Sequence, residues 1–271
     1  MPRLVRNDVA LAYEDVGRGG PPVMLVHAWA GNRTWMRYQL EHLRHGHRVI
    51  SIDLRGFGES DRPAQAYTVA GFADDVAWMA AQLQLERPVL MGHSMGGSVV
   101  LEAAARHPGL ASAVVILESL VVAPPALVAG FRPLLDAMRT PAFTSALTQF
   151  AEGLLGPYLP TPQRTAIIDT MVASPPHVLV SALEDLLDHD SASAAAACKV
   201  PTLYVSSGPW YTDVARFKQL CPTLITAQLV GCGHYFPLEV PDQVNPMISR
   251  FLETQVRRAG PGSAATGLTP A

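Results

Sequence analysis

Residues 89–97, with the sequence VLMGHSMGG, decide the fold of this chain. A short apolar run ends in the pattern Gly-x-Ser-x-Gly, and the segment from Ser98 to Arg106 that follows is compatible with a helix. This order predicts a strand, a tight turn and a helix, with Ser94 at the apex of the turn. The glycines Gly92 and Gly96 leave room for the two backbones to approach each other around a strained serine. Ser94 is therefore a candidate nucleophile.

The composition is typical of an ordinary globular protein with one large domain. The chain has 271 residues, of which 49% are hydrophobic and 16% charged, and a formal net charge of −3. This charge gives no indication of binding to nucleic acid or to an anionic membrane. The three cysteines, Cys198, Cys221 and Cys232, are widely spaced and predict free thiols. With no signal-peptide pattern and no membrane-spanning apolar run, we expect a cytoplasmic protein.

Strand patterns alternate with helix patterns along most of the chain. The first is an edge hairpin, with one strand at Val9 to Tyr13 and its turn at Gly17 to Pro21. Further strands are predicted at Val23 to Val26, His47 to Ile52, before Ser94, at Ser112 to Leu117, Thr202 to Val205 and Leu224 to Val230. Helices are predicted at Thr34 to His45, Val69 to Leu85, Ser98 to Arg106, Thr212 to Leu220 and Pro241 to Val256. The alternation predicts an α/β fold with a mostly parallel, doubly wound sheet.

The alternation stops between about Ser119 and Lys199. Prolines recur there at positions 124, 125, 133 and 141, and the segments between them have helical patterns. Leucines 179, 183, 186 and 187 form one amphipathic face. We predict a core from residues 1–118 and 200–258, a helical cap inserted at 119–199, and a disordered tail at 259–271.

Several polar residues follow the predicted strands, far apart in the sequence. They are His27, Asp53, Ser94, Glu118 and His234. Ligands of such sheets bind beyond the carboxyl ends of the strands, so these side chains can converge on one site. His27 and His93 flank motifs and are expected to hydrogen-bond to loops.

From about Val9 to Val256 the chain resembles an α/β-hydrolase. The resemblance rests on four segments in family order: residues 27–29 (HAW), 53–60 (DLRGFGES), 92–97 (GHSMGG) and 233–234 (GH). It implies the α/β-hydrolase fold, with the region 119–199 as the variable cap that sets substrate preference. Many members have glycine where this chain has Ala28, so the loop after His27 is expected to differ slightly.

The base and the acid of a triad come from this chain order. His234 follows the last strand, where the family's histidine lies. The usual position of the acid, three residues after Gly208, is Tyr211, which cannot serve. Two carboxylates remain as candidates. Asp213 lies two residues further along, and Glu118 ends the strand after the nucleophile helix, as in haloalkane dehalogenases and some lactone hydrolases. An ionised glutamate directly after an apolar run costs free energy unless it has a partner. The position of Glu118 therefore indicates a paired carboxylate, which favours Glu118 over Asp213.

The remaining site residues follow from the same resemblance. The backbone N–H groups of Trp29 and Met95 would form an oxyanion hole, and the side chains of Trp29, Trp210 and Tyr211 are candidates for substrate binding. The sequence has no glycine-rich phosphate loop, no metal-ligand spacing and no dinucleotide fingerprint. We therefore expect no cofactor and no metal.

These features predict a serine hydrolase that cleaves a carboxylic ester or lactone of a small, largely hydrophobic substrate. The expected partner is a small molecule, without nucleic acid or membrane, and a homodimer is left open. A cofactor-independent ring-cleaving dioxygenase of the same fold is the alternative, in which a histidine–acid pair deprotonates a hydroxylated heteroaromatic substrate. A haloalkane dehalogenase would need a carboxylate at Ser94. A non-catalytic, hormone-receptor-like binding protein is disfavoured because all three triad residue types are present.

Overall fold

A single eight-stranded sheet organises the protein, whose computed structural model describes residues 1–208 and 211–256. The strands are β1 (Arg3–Arg6), β2 (Val9–Val16), β3 (Val23–Val26), β4 (Val49–Ile52), β5 (Val89–His93), β6 (Ala113–Leu117), β7 (Thr202–Ser206) and β8 (Leu224–Gln228). Their spatial order is β1-β2-β4-β3-β5-β6-β7-β8. Strands β3 to β8 pair in parallel, whereas β1 and β2 pair antiparallel to each other and β2 pairs antiparallel to β4.

Helices cover both faces of this sheet. They are α1 (Arg37–Leu43), α2 (Val69–Gln82), α3 (Met95–Arg106), α4 (Pro125–Gly130), α5 (Arg132–Met138), α6 (Phe143–Leu154), α7 (Thr161–Val172), α8 (Pro176–Asp188), α9 (Ser191–Ala197), α10 (Val214–Leu220), α11 (Phe236–Glu239) and α12 (Pro241–Phe251). A 3₁₀ turn at Arg33–Met36 precedes α1, and a π-helical turn at Leu252–Val256 follows α12. Among the described residues no single helix is long and apolar enough to cross a membrane, although α7 and α8 pass that test together across a bend of 93°.

Each central strand contributes to two hydrophobic cores. In β3, Met24 and Val26 belong to the core on one face, while Val23 and Leu25 belong to the core on the other. Successive side chains of a strand point to opposite faces, so a strand covered on both sides is apolar throughout. The predicted mostly parallel, doubly wound α/β sheet is confirmed, and it has the α/β-hydrolase fold.

The N-terminal hairpin differs from its prediction. Strand β2 pairs with β1, with Arg6 opposite Val9, and not with β3. The turn is formed by Asn7 (φ 49°) and Asp8 (φ 63°), both left-handed, as a two-residue turn of type I′ requires. The segment Gly17 to Pro21, predicted as the hairpin turn, instead leads the chain to β3 on the far side of β4.

Six helices, α4 to α9, lie between β6 and β7, and we refer to them as the helical layer. Proline occupies the first turn of four of them (α4, α5, α7 and α8), where its missing N–H costs no hydrogen bond. The predicted leucine face of α8 is buried, since leucines 179, 183, 186 and 187 are each at most 9% exposed. The predicted tail, residues 259–271, lies outside the described residues.

Candidate active site

Ser94 occupies the sharp turn between β5 and α3. Its backbone is left-handed, with φ 52° and ψ −123°. A β-carbon on Gly92 would overlap with the backbone of Gly96, and one on Gly96 would overlap with the carbonyls of Val26 and His27. The two glycines therefore permit the close approach that the sequence predicted. The Ser94 side chain makes no capping hydrogen bond to α3, so its hydroxyl is not committed to the helix.

Glu118 follows β6 directly, on the strand beside Ser94. Its side chain is fully buried and its backbone is left-handed, with φ 47°. Its Oε1 accepts hydrogen bonds from the Ser207 N–H and hydroxyl, both at 2.7 Å. Its Oε2 lies 2.8 Å from Nδ1 of His234. A buried carboxylate is tolerated only when such donors replace its lost hydration.

His234 lies in the loop between β8 and α11. Because the Glu118 carboxylate only accepts hydrogen bonds, Nδ1 of His234 donates the proton in this contact. The neutral ring then has its lone pair on Nε2, which is the atom that a general base uses. The loop is held from both sides, since the His234 N–H donates to the Leu154 carbonyl at 3.0 Å and the His234 carbonyl accepts from His93 Nε2 at 2.8 Å.

The other candidate acid, Asp213, lies elsewhere. It is the exposed N-cap residue of α10, where its carboxylate accepts from the Arg216 N–H at 3.0 Å. Tyr211 lies nearer the site, with its ring centroid 5.7 Å from that of His234. Burial, and then the charge of Glu118, raise the pKa of the Tyr211 hydroxyl. Of the two carboxylates, Glu118 is therefore the one that contacts His234.

The Ala28–Trp29 peptide is oriented by His27. The Leu54 N–H donates to His27 Nε2 at 3.1 Å, so the ring proton is on Nδ1, which donates to the Ala28 carbonyl at 2.7 Å. Burial lowers the pKa of His27, which favours this neutral form. The Gly31 N–H also donates to the Ala28 carbonyl. In a trans peptide the N–H points opposite to the carbonyl, so the Trp29 N–H points away from these donors.

The Trp29 and Met95 amides share a further property. Neither N–H has a hydrogen-bond acceptor in the part of the chain that the structure describes. Met95 is the first residue of α3, where the unpaired N–H groups of a helix favour a negative charge. Both residues also line the same cavity. Two free donors at one cavity are what an oxyanion requires.

His93 donates a hydrogen bond to the loop that contains His234, as expected for a histidine that flanks the serine motif. It is buried, and its ring centroid lies 4.9 Å from that of His234. Burial, and then the neighbouring His234, hold the pKa of His93 well below its usual value of 6.5. It is therefore neutral and acts as a fixed donor to the His234 carbonyl.

One cavity brings these groups together. Ser94, Glu118 and His234 line it, and the rest of its wall is mainly apolar. The other lining residues are Ala28, Trp29, Met95, Ser119, Leu120, Phe131, Phe150, Leu154, Leu183, Leu186, Tyr211 and Tyr235. Trp29 anchors the wall to the helical layer, because its indole N–H donates to the Leu179 carbonyl at 3.0 Å.

The sequence did not predict some of these lining residues. Phe131 and Phe150 belong to the helical layer, where only the leucine face of α8 had a clear pattern. Trp210, predicted to bind substrate, lies outside the described residues. The described ranges contain no group of three or more His, Cys, Asp or Glu residues that could hold a metal ion.

Comparisons with known proteins agree with this architecture. A family model described as alpha/beta hydrolase fold matches residues 21–241. The AB hydrolase superfamily protein YisY of Bacillus subtilis (strain 168) is 32% identical over 263 residues, which are 90% of this chain and 95% of that protein. A thermophilic esterase from Thermogutta terrifontis superposes with a TM-score of 0.81 and 25% identity, covering 94% of this chain and 100% of the esterase. The enol-lactonase from Burkholderia xenovorans LB400 shares the fold, with a TM-score of 0.82 and 23% identity over 93% of this chain and 100% of its own. This chain belongs to the α/β-hydrolase family.

Proposed function

We propose that the protein is a serine hydrolase that cleaves a carboxylic ester or lactone of a small, largely hydrophobic substrate. The observation that carries this proposal is the 2.8 Å contact between His234 Nδ1 and Glu118 Oε2 in a cavity that Ser94 also lines. The similarity to a thermophilic esterase at 25% identity supports the choice of ester chemistry.

In the acylation step, His234 Nε2 removes the proton of the Ser94 hydroxyl as its oxygen attacks the carbonyl carbon. A serine hydroxyl is nearly inert at neutral pH, so it needs this base. Glu118 holds the imidazole in the tautomer with its proton on Nδ1 and stabilises the imidazolium that forms. The imidazolium then protonates the leaving alkoxide, and an acyl-enzyme remains on Ser94.

In the deacylation step, water replaces the alcohol. His234, now neutral again, removes a proton from the water as it attacks the acyl carbon, and returns that proton to Ser94 Oγ. The products are a carboxylic acid and the free serine. With a lactone, the leaving alkoxide belongs to the same molecule as the acyl group, so one hydroxy acid is released.

Both steps pass through a tetrahedral oxyanion. We propose that the N–H groups of Trp29 and Met95 donate hydrogen bonds to it. Each preorganised donor of this kind typically lowers the barrier by about 3–4 kcal/mol. Ala28, where many family members have glycine, does not prevent this arrangement, because His27 and Gly31 hold its carbonyl. With the carbonyl held in this way, the following N–H points in the opposite direction, and we propose that the oxyanion binds there.

The acyl group would lie against the helical layer, which we propose acts as the cap, at residues 119–199. Phe131, Phe150, Leu183 and Leu186 of this layer line the cavity. No lysine or arginine is among the described lining residues. An uncharged, apolar acyl group fits such a wall, because a charge buried there would lack a partner.

Stopped-flow hydrolysis of a short p-nitrophenyl ester by the wild type and by Ser94→Ala tests the proposal. We expect a burst of about one nitrophenolate per chain that the variant lacks, because a covalent acyl-enzyme accumulates. Steady turnover without a burst, but lost in Ser94→Ala, would mean that acylation limits the rate. Ester hydrolysis that does not depend on Ser94, across a small panel of esters and lactones, would refute the proposal. Oxygen uptake with a hydroxylated heteroaromatic compound would then test the dioxygenase alternative.

A further inference from the structure

Glu239 makes an unusual contact beside the base. It ends α11, five residues after His234, and its Oε2 accepts a hydrogen bond from the Gly233 N–H at 2.8 Å. Its Oε1 is buried and has no hydrogen-bond partner among the described residues. A buried, unpartnered carboxylate oxygen costs free energy, so its position needs an explanation.

Gly156, in the loop after α6, explains where that oxygen lies. A β-carbon on Gly156 would overlap with the Glu239 carboxylate, and the three atoms nearest to it are Oε1, Oε2 and Cδ of that side chain. The backbone of Gly156 has no positive φ, so the glycine is not required by its own conformation. It is required by the carboxylate, which fills the space that a side chain would occupy.

The same loop of the helical layer lies against the base. A β-carbon on Gly233 would overlap with the N and Cα atoms of Gly156 and with the Leu154 carbonyl. That carbonyl accepts from the His234 N–H at 3.0 Å. Arg164, on α7, donates to the Gly156 carbonyl at 2.8 Å and fixes the loop from its other side. Residues 154–156 and residues 233–234 are thus in direct backbone contact, which we call the loop contact.

The loop contact joins the substrate cavity to the base. The Leu154 side chain lines the cavity, while its carbonyl holds the His234 backbone. From these contacts we infer that Glu239 and Gly156 are positioning residues. The Glu239 carboxylate packs against Gly156 and accepts the hydrogen bond of the Gly233 N–H, which fixes Gly233. The next residue, His234, is thereby kept aligned between Glu118 and Ser94. The helical layer then does more than enclose the substrate, because its docking also sets the position of the base. This inference rests on the proposed function, in which His234 is the general base.

Three variants test this role by the kinetics of ester hydrolysis. Glu239→Ala removes the acceptor of the Gly233 N–H, and Gly156→Ala displaces the same carboxylate by steric overlap. We expect each to lower kcat roughly 10- to 100-fold and to change KM less than about threefold, because small misplacements of a reacting group mainly affect the chemical step. Glu239→Gln keeps an acceptor of the same shape, so it should retain kcat within about threefold of the wild type.

A double variant distinguishes this role from general loss of structure. Once Glu239→Ala has removed the carboxylate, the methyl group of Gly156→Ala meets none of the three atoms that it overlapped. The double variant should therefore have the kcat of Glu239→Ala alone, whereas independent effects would multiply. Gly153→Ala is the matched control, because Gly153 lies on α6 near the same loop and a β-carbon there meets nothing within 4 Å.

A second readout does not depend on turnover. The proton in the His234–Glu118 hydrogen bond gives a low-field proton NMR signal, which we expect in the wild type, Gly153→Ala and Glu239→Gln. It should be broadened or lost in Glu239→Ala and Gly156→Ala, with thermal melting used to confirm that each variant is folded. Multiplicative kinetic effects, a failure of glutamine to rescue, or an unchanged NMR signal in both variants would each overturn the inference. If no ester is hydrolysed at all, the proposed function fails while the NMR comparison still tests the positioning of His234.

Discussion

Nδ1 of His234 lies 2.8 Å from Oε2 of Glu118, although 116 residues separate the two in the chain. Parallel strands make this possible, because Glu118 directly follows β6 and the loop after β8 returns to the same end of the sheet. Strand β7 lies between β6 and β8. Ser207, the residue directly after β7, donates its N–H and its hydroxyl to the other carboxylate oxygen of Glu118. The Glu118 carboxylate is thus supported by the segment after the neighbouring strand rather than by its own loop.

Replacement of the proposed acid gives the first prediction. Glu118→Gln should lower kcat about 10³- to 10⁴-fold, because a neutral amide neither selects the productive tautomer of His234 nor stabilises the imidazolium. Asp213→Asn is the matched control and should leave kcat within about twofold, since asparagine caps α10 as well as aspartate does. Steady-state hydrolysis of a p-nitrophenyl ester measures both. The opposite pattern would move the acid to Asp213.

The size of the acyl pocket gives the second prediction. Phe150 lines the cavity, and its ring lies 6.1 Å from that of Trp29, so Phe150→Ala lengthens the apolar space. The ratio of kcat/KM for a decanoate ester to that for a butyrate ester should rise about tenfold or more, since each accommodated methylene contributes about 1 kcal/mol or more. Phe143→Ala, on the same helix but away from the cavity, should leave the ratio unchanged. If the decanoate-to-butyrate ratio is the same in Phe150→Ala and Phe143→Ala, Phe150 does not limit the length of the acyl chain.

The charge of the acyl group gives the third prediction. Phenyl hydrogen succinate and phenyl 4-methylpentanoate have acyl groups of the same shape, but the first carries a carboxylate. The charged ester should have a kcat/KM at least about 100-fold lower, because the cavity wall would bury its charge without a partner. Ser94→Ala provides the background rate of each ester. Comparable values for the two esters would require a cation near the acyl group.

The buried His93 gives a prediction on pH dependence. Because its pKa in the folded protein lies well below 6.5, the unfolded chain binds more protons below that pH, and stability falls as the pH falls. Between pH 7.5 and pH 5.5 the wild type should lose on the order of 1 kcal/mol more unfolding free energy than His93→Gln, which does not titrate. Urea unfolding at the two pH values measures the difference. Equal losses in the wild type and in His93→Gln would show that the pKa of His93 is the same in the folded and the unfolded state.

The sequence predicts the turn that holds Ser94 better than the rest of the candidate site, for a physical reason. Ser94 depends on local geometry, since Gly92, Gly96 and the flanking strand and helix lie within a few residues of one another. The choice between Glu118 and Asp213 depends on which loop returns to His234, and a residue pattern favours one without fixing it. The carboxylate contact in the structure agrees with the favoured residue, whereas its catalytic role stays a prediction.

Other features could not be predicted, because they arise from contacts between distant segments. Phe131 and Phe150 reach the cavity only through the packing of the helical layer, whose helices other than α8 have no clear sequence pattern. The Gly156–Gly233 contact joins a glycine of the GH segment to Gly156, which has no motif around it. The prediction of the hairpin turn was wrong for a different reason. The glycines at positions 17, 19 and 20 favour a turn there, although Asn7 and Asp8 also adopt left-handed conformations readily.

The left-handed backbones of Ser94 and Glu118, with φ of 52° and 47°, have a consequence for engineering this protein. Each such residue costs about 1–3 kcal/mol, and glycine would relieve that cost at either position. A library selected only for survival of heating would therefore enrich Ser94→Gly, which removes the proposed nucleophile, whereas Glu118→Gly would also leave the Ser207 donors without their acceptor. Any programme to make the protein more heat-resistant should screen for turnover in every round, because a substitution that relieves the backbone strain at Ser94 would also abolish the proposed chemistry.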